Sequence, residues 1–310
     1  MKIPANPVMI SELRGRVRGA RAMIILTIYL SLTGIITLLI YLAFASGLSF
    51  NQNDFEAGRR IGKAIFLTVI TAALVQVCII IPSLTAGSIA GEKERQTYDL
   101  LITTLLSPWQ IAFGKLISAL SFAFLLVLAV LPLAGLAFLF GGVSGMELII
   151  AMIGLIMTAI LYATVGLFWS TVMRTTLGAT VMAQGMIFLS LLGIPFIFVI
   201  TGVIVSNARG WNDPTESIIF VYTMGTLLSL HPFIALGLTE VLLGQGENPF
   251  YFTFDSGQLS LLLPSPWLAY ALLALLLTIM FMFLSVRMIK PVQYKPARKR
   301  RNAERTTLPG

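Results

Sequence analysis

The sequence predicts an all-α integral membrane protein with six transmembrane helices, and three observations predict it. Hydrophobic residues make up 57% of the 310 positions and charged residues only 11%, where a soluble domain carries roughly 25% charged residues. The apolar residues fall in long blocks, several of them exceeding the ~20 residues a helix needs to cross the hydrocarbon core. Basic residues gather at both ends, in Arg14, Arg16, Arg18 and Arg21 and again in Arg298, Lys299, Arg300 and Arg301. Beside membrane spans such tracts orient the chain and attract anionic lipid. The net charge of +8 therefore reads as membrane orientation and not as nucleic-acid binding.

Taken in order, Pro7 to Arg21 is expected to form an amphipathic interfacial helix, with Val8, Leu13 and Val17 on one side and arginines on the other. The first span runs from Ala22 to Leu48. It is far longer than the ~7–15-residue core of a signal peptide, so it is expected to remain as an anchor. The second span is Gly62 to Ala90, the third Ile111 to Phe140, the fourth Leu148 to Val172, the fifth Leu177 to Ser206 and the last Trp267 to Met288. A further apolar stretch, Ile218 to Leu243, is interrupted by His231-Pro232 and carries Glu240 near its end. Proline removes a helix hydrogen bond and clashes with the preceding turn. Two short membrane-dipping helices within an external loop over 207–266 therefore fit better than a seventh span.

Charge placement supports this count. With six spans and both termini cytoplasmic, the outer side holds only Arg59, Arg60, Lys63 and Arg209, leaving 17 of the 21 Lys and Arg inside. A seventh span would put the basic C-terminus outside, against the orientation bias. Residues 1–290 thus read as one transmembrane domain, followed by a basic tail, 291–310, expected to be disordered.

The link between the second and third spans, 91–108, is the most informative segment. Gly91 is expected to end the preceding helix in a left-handed conformation, with Glu92 and Glu94 at the start of the next, where negative charge is favoured. Tyr98, Leu101, Ile102 and Leu105 recur at helical spacing, so a short amphipathic helix should lie across the membrane face. Ser107-Pro108 has the form of a helix start, serine as N-cap and proline in first position. Trp109 suits an interfacial anchor.

Glu92-Lys93-Glu94-Arg95-Gln96-Thr97-Tyr98-Asp99-Leu100-Leu101, followed by Ser107-Pro108-Trp109-Gln110-Ile111 and Gly114-Lys115, resembles the signature of ABC-2-type permease subunits of ABC transporters. That signature reads Glu-Lys-Glu-Arg-Gly-Thr-Leu-Glu-Leu-Leu, then Ser-Pro-Trp-Gln-Ile and Gly-Lys. Asn6-Pro7 with Glu12-Leu13-Arg14 is similar to the start of one branch of that family. Gln96 stands where glycine is frequent, and Tyr98-Asp99 where Leu-Glu is frequent. The resemblance implies a permease half of a dimeric pathway, homo- or heterodimeric, in a bacterial or archaeal plasma membrane. Two copies of a separate ATPase subunit would bind ATP and magnesium, leaving this chain without a cofactor. It implies that Glu92, Lys93, Glu94, Arg95, Gln96, Thr97, Tyr98, Asp99, Leu100 and Leu101 contact that ATPase. The N-terminal helix, with Glu12, Leu13, Arg14 and Arg18, would contact it too.

Other chemistries lack their residues. The nearest string to a phosphate-binding loop, Gly58 to Ala64, is one residue short and ends in alanine, so no ATPase is expected in this chain. The only histidine, His231, makes neither a multi-histidine metal site nor a nucleophile–base pair, and it is expected in a turn at the outer surface, where it could titrate near neutrality. The lone Cys78 permits no internal disulfide. No ionisable residue lies in the span interiors, where ion-coupled carriers usually place one. Gln76 and Gln184 are expected to bond neighbouring helices or to line a substrate path. Gly87 with Gly91 and Gly141 with Gly145 have the spacing of a helix-contact pattern but fall at span ends, where turns are expected. The alternative to the permease reading is an ATPase-independent secondary transporter or a membrane scaffold.

Overall fold

A computed structural model describes residues 20–47, 55–103, 107–207, 218–256 and 259–289. The expected N-terminal interfacial helix with Glu12, Leu13, Arg14 and Arg18, residues 104–106 of the link, and the tail 291–310 lie outside the described residues.

Six helices are long and apolar enough to cross a membrane. They are α1 (Ala20–Gly47), α2 (Phe55–Glu94), α4 (Pro108–Leu139), α5 (Gly145–Val172), α6 (Thr176–Asn207) and α9 (Pro266–Met288), with the short α3 (Tyr98–Thr103) between α2 and α4. The protein is thus a multi-pass membrane protein built of helices, and the expected spans coincide with the observed ones except in α2. That helix begins earlier and ends later than its apolar stretch. Its 40 residues amount to ~60 Å at 1.5 Å per residue, about twice the thickness of a hydrocarbon core. Apolarity marks where a helix meets lipid, not where its hydrogen bonding stops.

Helices α2 and α5 form the centre, each with 61% of its most apolar stretch buried, whereas α1 and α6 bury only 17% and 11%. The close approach of α2 and α5 depends on Gly166. A Cβ there would lie 2.6 Å from the carbonyl oxygen of Pro82 and closer still to the Thr85 hydroxyl. One turn on, the Ser170 hydroxyl of α5 accepts hydrogen bonds from the amides of Ile89 and Ala90 in α2, at 2.8 and 2.9 Å. Large apolar residues of α6 face outward, among them Phe188 and Phe196, as lipid-exposed helices require.

The interrupted stretch forms two helices, α7 (Ile218–Ser229) and α8 (Pro232–Gly244), meeting at 110°. Proline at the first position of α8 and His231 as its N-cap account for the break. An antiparallel hairpin follows, β1 (Tyr251–Ser256) and β2 (Leu259–Pro264), paired from Tyr251↔Pro264 to Ser256↔Leu259. It was not expected within the loop, and it leads directly into α9.

Candidate functional site

The link after α2 brings residues from four helices together. Helix α2 does not stop at Gly91, which is helical. It ends in a left-handed residue at Gln96, φ 59°, with the Thr97 amide bonded to the Glu92 carbonyl at 2.9 Å and the Gln96 amide to that of Lys93 at 3.2 Å. This pair of bonds is a Schellman cap. The expectation for Gly91 is corrected, and with it the placing of Glu92 and Glu94 at a helix start. Both lie in the last turn of α2, where the helix dipole disfavours negative charge. Gly87, expected in a turn, is likewise inside α2, whereas Gly141 does turn the chain, with φ 71°.

Each of the three charged residues there is tied to a different helix. The Glu92 carboxylate accepts from Lys115 of α4 at 2.9 Å, and Lys115 is buried. The Lys93 ammonium donates to the carbonyls of Thr171 and, at 3.3 Å, Met173, the last acceptors of α5. The Glu94 carboxylate accepts from the amide and hydroxyl of Thr176, at 3.0 and 2.8 Å, the first residue of α6. A cation therefore sits at the negative end of α5 and an anion at the positive end of α6, the arrangement helix dipoles favour. A polar groove of about 660 Å³ beside these ties is reached by Ser88, Glu92, Glu94, Arg95, Lys115 and Thr176.

Beyond the cap the side chains turn outward. Arg95, Gln96, Thr97, Asp99 and Leu100 are exposed, Leu100 by 70%, while Tyr98 packs against the core with the Lys93 ammonium 5.4 Å from its ring centre. Leu101 belongs to the same short helix, α3. Ser107 caps α4 as expected, accepting from the Gln110 amide in a reciprocal capping box, and Trp109 stacks on Phe113.

Away from this site, both glutamines join helices. Gln76 donates to the Thr33 hydroxyl of α1 at 2.6 Å. Gln184 of α6 donates to the Ile79 carbonyl and Ser83 hydroxyl of α2, at 2.7 and 3.0 Å. His231 does occupy a turn but is buried, not on the surface. Its Nδ1 accepts from the Ile234 amide at 3.2 Å and its Nε2 lies 3.0 Å from the Leu191 carbonyl, so the proton resides on Nε2.

Several residues were not singled out from the sequence. Thr171, Thr176 and Ser170 are ordinary in composition and gain meaning only from the helix ends they meet. At the opposite end of α2, Lys63 pairs with Glu240 of α8 and lies 3.7 Å from Glu147 of α5. Both carboxylates are buried. No group of three or more metal-ligating side chains occurs among the described residues. No protein-family model matches the chain, and no curated protein matches it.

Proposed function

We propose that this chain is the permease subunit of an ATP-driven ABC-2-type transporter, an exporter, forming one half of a dimeric pathway worked by a separate ATPase. The observation that carries the reading is the segment Glu92 to Lys115, whose residues resemble the family signature. The tie geometry agrees with such a role. Arg95, Asp99 and Leu100 are exposed and available to a partner, while Glu92, Lys93 and Glu94 hold α4, α5 and α6. A push on α3 would thus reach three membrane helices through short, charge-assisted bonds, the stronger class of hydrogen bond.

The termini and this link are assigned to the cytoplasm of a bacterial or archaeal plasma membrane, supported by the 17 inside basic residues against Arg59, Arg60, Lys63 and Arg209 outside. The chain itself is non-catalytic in this reading, with ATP and magnesium held by the partner. The test is reconstitution of the ATPase encoded beside it, in liposomes with and without this chain. The chain is expected to bind that ATPase and change its turnover, and the double variant Glu94→Gln/Asp99→Asn to uncouple hydrolysis from transport. An ATPase that neither binds nor responds, with the chain folded and inserted, overturns the reading in favour of an ATPase-independent transporter or a scaffold.

A further inference from the structure

The bent pair α7–α8, the hairpin and the spans α6 and α9 enclose a cavity of about 410 Å³, within the size range of small-molecule sites. Phe220, Tyr222, Gly225, Phe252, Phe254 and Leu263 reach it. Among the described residues that line it there is no Asp, Glu, Lys, Arg or His. The Thr226 hydroxyl is turned back onto the Tyr222 carbonyl at 2.9 Å, and the Tyr222 hydroxyl donates to the Leu262 carbonyl at 3.1 Å. That second bond fastens α7 to the hairpin. The chamber thus offers an apolar occupant almost no competing polar group.

Gly225 is the second observation. It lies inside α7, where glycine costs about 1 kcal/mol relative to alanine. Among the described residues no atom lies within 4 Å of where its Cβ would be, and Gly225 is the glycine that lines this cavity. The missing side chain leaves room and serves no contact. The walls identify what fills that room. Phe198 and Val241 line the cavity and are also exposed on the outer surface, and α6 and α9 are membrane spans. The chamber is therefore continuous with the surface that meets hydrocarbon.

We propose that this cavity is a binding site for one acyl chain of a membrane phospholipid, admitted beside α6 and α8 and seated over Gly225. The site stands independently of the ATPase-coupled reading. Seating a chain there would hold the bent pair and hairpin against α9, since the cavity lies where those elements meet.

The test uses the full chain in liposomes containing phosphatidylcholine with a photoactivatable acyl chain, followed by peptide mapping. Crosslinks are expected on 218–229 and 251–256, and Gly225→Phe should reduce them severalfold while labelling of the outward face of α1 stays constant. Gly225→Leu, less bulky, should give an intermediate loss, and it carries the same test should the phenylalanine variant fail to insert. The thermal midpoint of each variant reports that it is folded. Labelling of 218–229 no stronger than that of α1, or unchanged in both folded variants, overturns the proposal.

Discussion

Gln96 holds a left-handed backbone conformation that costs an L side chain roughly 1–2 kcal/mol and costs glycine almost nothing. The Schellman bonds from Thr97 and Gln96 keep it there, because they satisfy carbonyls that α2 would otherwise leave bare. Gln96→Gly is therefore expected to stabilise the detergent-solubilised protein by about 1 kcal/mol, read as a higher thermal midpoint. Gln96→Val should lower it, since a β-branched side chain tolerates this conformation worst. A midpoint unmoved by either change would mean that the cap contributes nothing. The residue scale also explains a misreading. Gly91 has the usual composition of a helix terminator, but conformational freedom only permits a left-handed cap and does not require one. Glu94 accepts from Thr176 across a sequence gap that no local pattern spans, so its role at the start of α6 was not legible from composition or periodicity.

Among the elements, the contact of α2 with α5 and the anchoring of α8 are the most exposed to single substitutions. At Gly166 an added methyl meets the Thr85 hydroxyl and the backbone of Pro82, and the Pro82 backbone cannot withdraw without shifting the helix. Gly166→Ala is expected to destabilise by about 1–3 kcal/mol, as overpacked cores do, and Gly154→Ala by less. The three atoms nearest to the latter all belong to the Leu236 side chain, which can rotate. Equal losses in melting temperature for the two would contradict this ranking. At the other end of α2, Lys63 stands between Glu147 and Glu240. Lys63→Met leaves two buried carboxylates without it, a change that costs about 3–5 kcal/mol when an ion pair is broken from one side. Adding Glu240→Gln should restore much of the loss, so the double variant melts above Lys63→Met. Helix starts such as Ser107 and the 110° break at His231-Pro232 were legible because capping and proline chemistry are local. The cluster of Lys63 with Glu147 and Glu240 was not, since its members come from three distant helices. The hairpin of 251–264 was missed because two short strands give a weak periodic signal beside a long apolar stretch.

For the whole molecule, the six-helix body follows from apolar length alone, whereas under the permease reading any transmission through it would depend on how the link is tied. The residues at and after the end of α2 divide by geometry into two groups. Arg95 and Leu100 project outward, so altering them should affect only what binds the surface. Lys93 and Glu94 bond the ends of α5 and α6, so altering them should change what the membrane helices receive. Under the permease reading, Arg95→Glu with Leu100→Asp abolishes association with the ATPase and leaves the melting temperature near that of the parent chain. Lys93→Met or Glu94→Gln keeps association, because Arg95 and Leu100 are unchanged, but weakens the effect of the chain on ATP turnover. Loss of the Glu94 cap on α6 should also lower the melting temperature, a cost that the outward variants do not carry. Affinity, turnover and melting temperature measured on the same liposome preparations separate the groups. If the outward variants bind as tightly as the parent, the docking surface lies elsewhere. If the tie variants lose binding as completely as the outward ones, docking and transmission are not divided along this link. The charged residues would then hold the shape of the surface and would not carry force from it.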